Sequence, residues 1–119
     1  MRVGRLFLSG EVFAEPVEYA FGFFERLKGL LGHADMCDGA AMIIEHCGFV
    51  HTIGMRFAID LIFLDSEWRV ISLERNVSPG VWMVTGGLRA KRVVESRAGT
   101  LAYDQLELGS RLEFRGDRG

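Results

Sequence analysis

The chain has 119 residues, of which 49% are hydrophobic and 25% charged, and a formal net charge of -2. That length fits one domain spanning residues 1–119 and buries a core without needing a metal or a disulfide framework. The charge balance argues against a nucleic-acid footprint, and the one basic concentration, Arg89, Lys91 and Arg92, reads as a solvated strand entry.

The N-terminus opens with positive charge, but its apolar stretch, Leu6-Phe7-Leu8, is far shorter than the core of an export signal, and no later run approaches a membrane span. A cytoplasmic protein with no membrane partner is therefore expected; a signal removed from the chain would leave no trace in it. Arg5 to Glu15 reads as one or two short strands about Ser9-Gly10, with Pro16 breaking the pattern or sitting on an edge. From Ala20 to Leu31 the period changes. Phe23, Phe24, Leu27, Leu30 and Leu31 share one helical face, and Gly29 and Gly32 suit a glycine cap.

Ala40 to Glu45 is a short apolar run that predicts a buried strand, and His46 to Arg56 has no clean period and reads as a loop or an irregular strand. Ala58 to Asp65 is apolar on both faces apart from Asp60, as in a central strand. Asp65 to Trp68 supplies a turn into the alternating Arg69 to Arg75, its hairpin partner. Ser78-Pro79-Gly80 is a turn, Val81 to Val84 a short strand and Gly86-Gly87 a break. Arg92 to Glu95 is strand-like, Ala98 to Leu106 holds one or two helical turns, and Ser110 to Arg115 alternates again. Short strands joined by turns predict a mainly β, mostly antiparallel domain with one or two short helices.

Three blocks carry a resemblance. The first is Arg26-Leu27-Lys28-Gly29-Leu30-Leu31-Gly32. The second runs His51-Thr52-Ile53-Gly54-Met55-Arg56-Phe57-Ala58-Ile59-Asp60 and on to Asp65. The third is Val93-Val94-Glu95-Ser96-Arg97-Ala98-Gly99, followed by Leu108-Gly109. Together they make Arg26 to Phe114 resemble an uncharacterised bacterial and archaeal family, domain of unknown function 192, in its His-Thr-x-x-Met-Arg-Phe branch. Ala58 stands where the family pattern has proline, Ser96-Arg97 where it has Leu-Pro, and Ser110 where it has Asp. The resemblance implies an antiparallel β-sandwich, jelly-roll-like, with short helices over a core of about residues 20–115. It implies no activity and no cofactor.

Candidate chemistry concentrates between His46 and Asp60. Cys47 and His51 have the residue types of a thiolate–imidazole pair, with Asp60 or Glu95 to orient it, or of part of a soft-metal site with His46 and Cys37. Along a regular strand, however, Cys47 and His51 would stand about 13 Å apart. The two cysteines otherwise read as reduced thiols. Asp60, inside an apolar run, must be paired or hydrogen-bonded, with Arg56 and His51 as candidate partners, and Glu95 is a parallel case. Trp68, Trp82 and Met83 have the composition of an interface.

These features lead to a non-enzymatic binding or interaction domain with a polar pocket at His51, Thr52, Met55, Arg56, Asp60 and Glu95. Its expected partner is a small molecule or a protein, with a homodimer as one form of the latter. A small hydrolase or metal-dependent enzyme using Cys47 and His51 is the alternative, and a purely architectural polar network is the third reading.

Overall fold

The computed structural model describes residues 2–20 and 36–117. Among the described residues there are nine strands: β1 (Arg2–Leu8), β2 (Glu11–Ala20), β3 (Ala41–Glu45), β4 (Phe49–Val50), β5 (Ile59–Leu64), β6 (Val70–Val77), β7 (Val84–Thr85), β8 (Arg92–Arg97) and β9 (Leu112–Gly116). One 3-10 turn covers Tyr103–Gln105. The helix expected between Ala20 and Leu31, and the first of the three family-like blocks, lie outside the described residues.

Seven strands form one mixed sheet in the order β6-β5-β8-β3-β2-β1-β9, and β4 and β7 form a separate two-stranded ribbon. Every pairing is antiparallel except β2 with β3, which is parallel. The expected antiparallel sandwich thus gives way, among the described residues, to a single mixed sheet. A parallel pair needs a long connection, and one of the required length separates Ala20 from Ala41.

The sheet curls until its two edges meet. Arg69 and Arg111 form an antiparallel bridge. The Val70 amide donates to the Ser110 carbonyl at 2.8 Å, and the Leu112 amide to the Trp68 carbonyl at 3.0 Å. Joining the edges in this way removes much of the unpaired backbone that edge strands present.

Strand alternation sorts the core into two clusters. The enclosed cluster holds Leu6, Val17, Ile43, Ile62, Val70, Val94 and Leu112, one from each of the seven strands, closed below by Leu101, Tyr103 and Leu106. The outer cluster holds Met42, Ile44, Leu61, Phe63 and Val93 from the three middle strands, and Cys47 and Val50 from the ribbon side. This explains why β3 and β5 read as continuous apolar runs: all of their residues are buried, on both faces. The ribbon lies close because Gly86 rests against Phe63, where a Cβ would collide with the ring.

Pro16 sits inside β2 rather than at a break or an edge. The β1–β2 register passes from Gly4↔Val17 to Leu6↔Ala14, so Glu15 and Pro16 fall in a bulge where no ladder amide is required of the proline.

Candidate functional site

The His51 to Arg56 segment is a compact turn beside the ribbon. Thr52 is fully buried, and its hydroxyl both donates to the Ser78 carbonyl at 2.7 Å and accepts from the Val81 amide at 2.8 Å. Its backbone carbonyl accepts from the Met55 and Gly80 amides. Thr52 is thus a node joining two loops. Replacing it by valine keeps the shape and removes both side-chain bonds. Thr52→Val is expected to lower stability by about 1–3 kcal/mol, read by urea unfolding, with faster hydrogen exchange at the Val81 amide. His51 accepts at Nδ1 from the Ile53 amide at 3.2 Å, Met55 packs on the outer cluster, and Arg56 is exposed.

Asp60 and Glu95 lie on opposite faces of the sheet. Asp60 pairs with Ser96 and Leu61 with Glu95, so neighbouring positions on each strand face opposite ways. Asp60 is held neither by Arg56 nor by His51. Its Oδ1 accepts from the Asn76 amide at 2.7 Å and its Oδ2 from the Gly99 amide at 2.9 Å. Between Ile59↔Val77 and Leu61↔Glu74 the β5–β6 register slips, and the carboxylate captures the amide which that slip frees. Glu95 faces the outer cluster, beside Met42 and Leu61. Burial alone pushes its carboxyl up to about 8.

Cys47 is buried, and its thiol donates to the Phe49 carbonyl at 2.9 Å. Cys37 is exposed. Among the described residues, no grouping of three His, Cys, Asp or Glu side chains is arranged to hold a metal ion.

A cleft lies elsewhere, against the closing strand β9. About 630 Å³ in volume, it is lined by Tyr19, Trp68 and Phe114, by Arg2 and Arg111, and by Phe7, Ser9, Gly10, Leu112 and Glu113. The Tyr19 ring meets Trp68 edge-on at 5.7 Å and Phe114 at 5.1 Å. The Arg2 guanidinium sits 5.4 Å from the centre of Phe114.

A buried ion pair holds these rings in place. Tyr19 donates its hydroxyl to Glu45. Arg92 binds the same carboxylate, with Nη2 2.8 Å from Oε1 and Nε 3.1 Å from both oxygens. Its Nη1 donates to the Asp65 carbonyl at 2.7 Å, and its guanidinium lies 4.4 Å from the centre of Trp68. Burial works against ionising Glu45, but the hydrogen bonds from Arg92 and Tyr19 outweigh it and hold the carboxyl below its ordinary value. Burial and then the Glu45 carboxylate raise the Tyr19 phenol to about 12, so it stays a donor. Arg92 therefore leaves the solvated trio that the sequence suggested; Arg89 and Lys91 are exposed as expected.

No spacing in the chain announces this cleft, because its residues come from β1, β2 and the turn between them, from β9 and Arg111 just before it, and from the turn before β6. The available signals were Glu45 closing an apolar run and Arg92 opening one. Trp68 lines the cleft, whereas Trp82 and Met83 stand exposed on the ribbon side.

A family model described as "Uncharacterized ACR, COG1430", DUF192, matches residues 8–114. The chain belongs to the DUF192 family. A curated relative, the "UPF0127 protein" of Thermococcus sibiricus, is 28% identical over 110 residues, covering 89% of this chain and 70% of that protein. Two solved structures share the fold. One is described as a putative transcription regulator from Sinorhizobium meliloti, with a TM-score of 0.76 and 21% identity over 95% of this chain and 92% of that one. The other is a protein of unknown function from Novosphingobium aromaticivorans, with a TM-score of 0.75 and 21% identity over 93% of this chain and 84% of that one. At that identity the likeness concerns the fold of this DUF192 domain alone.

Proposed function

We propose that this chain is a small binding domain and that the cleft at Tyr19, Trp68 and Phe114 is its site. The observation that carries this reading is the meeting of the Tyr19, Trp68, Phe114 and Phe7 rings with two arginines, Arg2 and Arg111, around one concave surface. Its one lining carboxylate, Glu113, is already bound by Arg115 at 2.8 Å. Such a surface suits a flat, apolar ligand that carries an anionic group: the rings take its faces and the guanidinium groups its charge. The pocket expected around His51, Asp60 and Glu95 is less well supported, because the polar atoms of Thr52 and Asp60 are already occupied by backbone groups. The Cys47–His51 enzyme reading gains no support from a thiol bonded to a carbonyl.

Calorimetric titration with naphthalene-2-sulfonate, against neutral 2-naphthalenemethanol, tests the site. The sulfonate is expected to bind more tightly, and Arg111→Gln to weaken it about tenfold, the equivalent of about 1.4 kcal/mol, while leaving the neutral compound unaffected. Equal affinity for the two compounds, or an Arg111→Gln variant that binds the sulfonate as the parent does, would count against the reading.

A further inference from the structure

The ribbon and its flanking turns carry a surface unlike that of the chain as a whole. Five large apolar side chains stand in solvent there, Phe49, Ile53, Trp82, Met83 and Leu88, with Trp82 at 76% and Leu88 at 102% of full exposure. Backbone hydrogen bonds tie their segments into one body: the Cys47 amide to the Lys91 carbonyl, Gly86 to Gly48, and Thr52 to Val81, all within 3.1 Å. Phe49 pairs with Thr85, and Val50 with Val84. Val50 is buried in the outer cluster, so alternation turns Phe49 and Met83 away from the sheet.

These segments are one-sided in charge, although Arg89 also reaches the Asp65 carboxylate at 3.9 Å and shares a hollow with Asp65 and Glu67 of the neighbouring turn. Residues 46–56 and 78–91 contain Arg56, Arg89 and Lys91 and no Asp or Glu, in a chain whose net charge is -2. All three basic residues are exposed. Protruding Trp, Phe and Leu beside basic side chains are the composition of peripheral membrane anchors, in which aromatic rings settle at the headgroup level and cations meet anionic lipid.

We propose that this ribbon docks on an anionic lipid bilayer, with Trp82, Leu88 and Phe49 entering the headgroup layer and Arg56, Arg89 and Lys91 facing lipid phosphates. The shape favours lipid over a protein partner. The apolar side chains sit beside tight turns, where Gly54, Gly80 and Gly87 take positive φ, and Leu88 stands clear of its neighbours. A fluid layer accepts such tips without a matching pocket for each, which a protein partner would have to supply. The expectation of no membrane partner rested on the absence of a spanning run; adsorption to a surface needs none.

Vesicle flotation tests this directly. The protein is expected to float with vesicles of phosphatidylcholine and phosphatidylglycerol in equal parts, weakly with phosphatidylcholine alone, and less as salt is raised. The double variant Trp82→Ser, Leu88→Ser, whose changes are confined to exposed side chains, is expected to reduce binding about tenfold or more with its thermal unfolding unchanged. Arg89→Glu with Lys91→Glu is expected to remove the preference for anionic vesicles. Equal flotation with neutral and anionic vesicles, or a double serine variant that floats like the parent, overturns the proposal. So does a parent dimer in sedimentation that the serine variant dissolves, since the surface would then belong to a second copy of the chain.

Discussion

Replacing Glu95 by glutamine is expected to make the domain more stable than the parent above about pH 8, and to flatten the dependence of stability on pH below it. Glu95 is buried in the outer cluster beside Met42 and Leu61, and burial is the only resolved cause of its shift, up to about 8 from an ordinary 4.5. The sign follows from proton linkage. Below about pH 4.5 the carboxyl is neutral in both folded and unfolded chains and imposes no electrostatic cost. Between 4.5 and 8 the folded chain holds a proton that the unfolded chain has released, so stability falls as pH rises. Above about 8 the folded chain must carry a buried anion, and the loss is complete. At roughly 1.4 kcal/mol per pKa unit, that loss is on the order of 5 kcal/mol. Glutamine carries no titrating proton, so its own burial cost is the same at every pH. Urea unfolding of parent and Glu95→Gln from pH 4 to 9 checks the prediction. Parallel profiles for the two proteins would mean that Glu95 ionises freely in the fold.

The middle strands were legible because they have the composition of their burial; less so β2, which runs to Ala20 past the expected Arg5–Glu15 strands, and β7, which is Val84–Thr85 rather than Val81–Val84. The all-apolar runs at Ala41–Glu45 and Ile59–Leu64 are buried on both faces. The Arg69–Arg75 segment became part of a strand, but not one with Ile71 and Leu73 on a shared face: a register shift opposite Phe63 and Leu64 sends Ile71 to the outer cluster and Leu73 to the enclosed one, and exposure rises along the strand toward Asn76. The global arrangement was less legible. Parallel pairing of β2 with β3 depends on the long connection between them, and the meeting of the sheet edges depends on one bridge, Arg69 to Arg111, between residues far apart in the chain. Local pattern carries neither.

The polar residues divide in the same way. That Asp60 must be satisfied could be argued from its apolar neighbours, but not that backbone amides would satisfy it, because no residue type marks the register slip opposite it. Arg92 sits in a basic trio, and only the pairing of β3 with β8 brings it beside Glu45. The aromatic cleft was the least legible feature, since Tyr19, Trp68 and Phe114 meet only once the sheet has curled. The two surfaces proposed for binding thus differ in origin. The ribbon is nearly local in sequence and shows its lack of acidic residues there, whereas the cleft exists only through closure.

Asp60→Ala is expected to be the most damaging single change considered for this domain. The side chain is 1% exposed, and each carboxylate oxygen holds one backbone amide, Asn76 in β6 and Gly99 in the turn after β8. Asn76 and Gly99 both take positive φ, at 55° and 79°, so the carboxylate fixes two backbone bends as well as two hydrogen bonds. Alanine would leave both amides without their acceptor, at about 1–3 kcal/mol each, and would open space beside the enclosed cluster. A total loss of roughly 3–5 kcal/mol is expected, measurable as a lower urea midpoint at constant pH. Asparagine offers a discriminating control. It keeps one acceptor oxygen but turns an NH2 group toward the other amide, so two donors face each other; Asp60→Asn should therefore recover little of the loss. If Asp60→Asn were as stable as the parent, one amide would be satisfied without the carboxylate, and β5 would not be holding its neighbours on both sides through this residue.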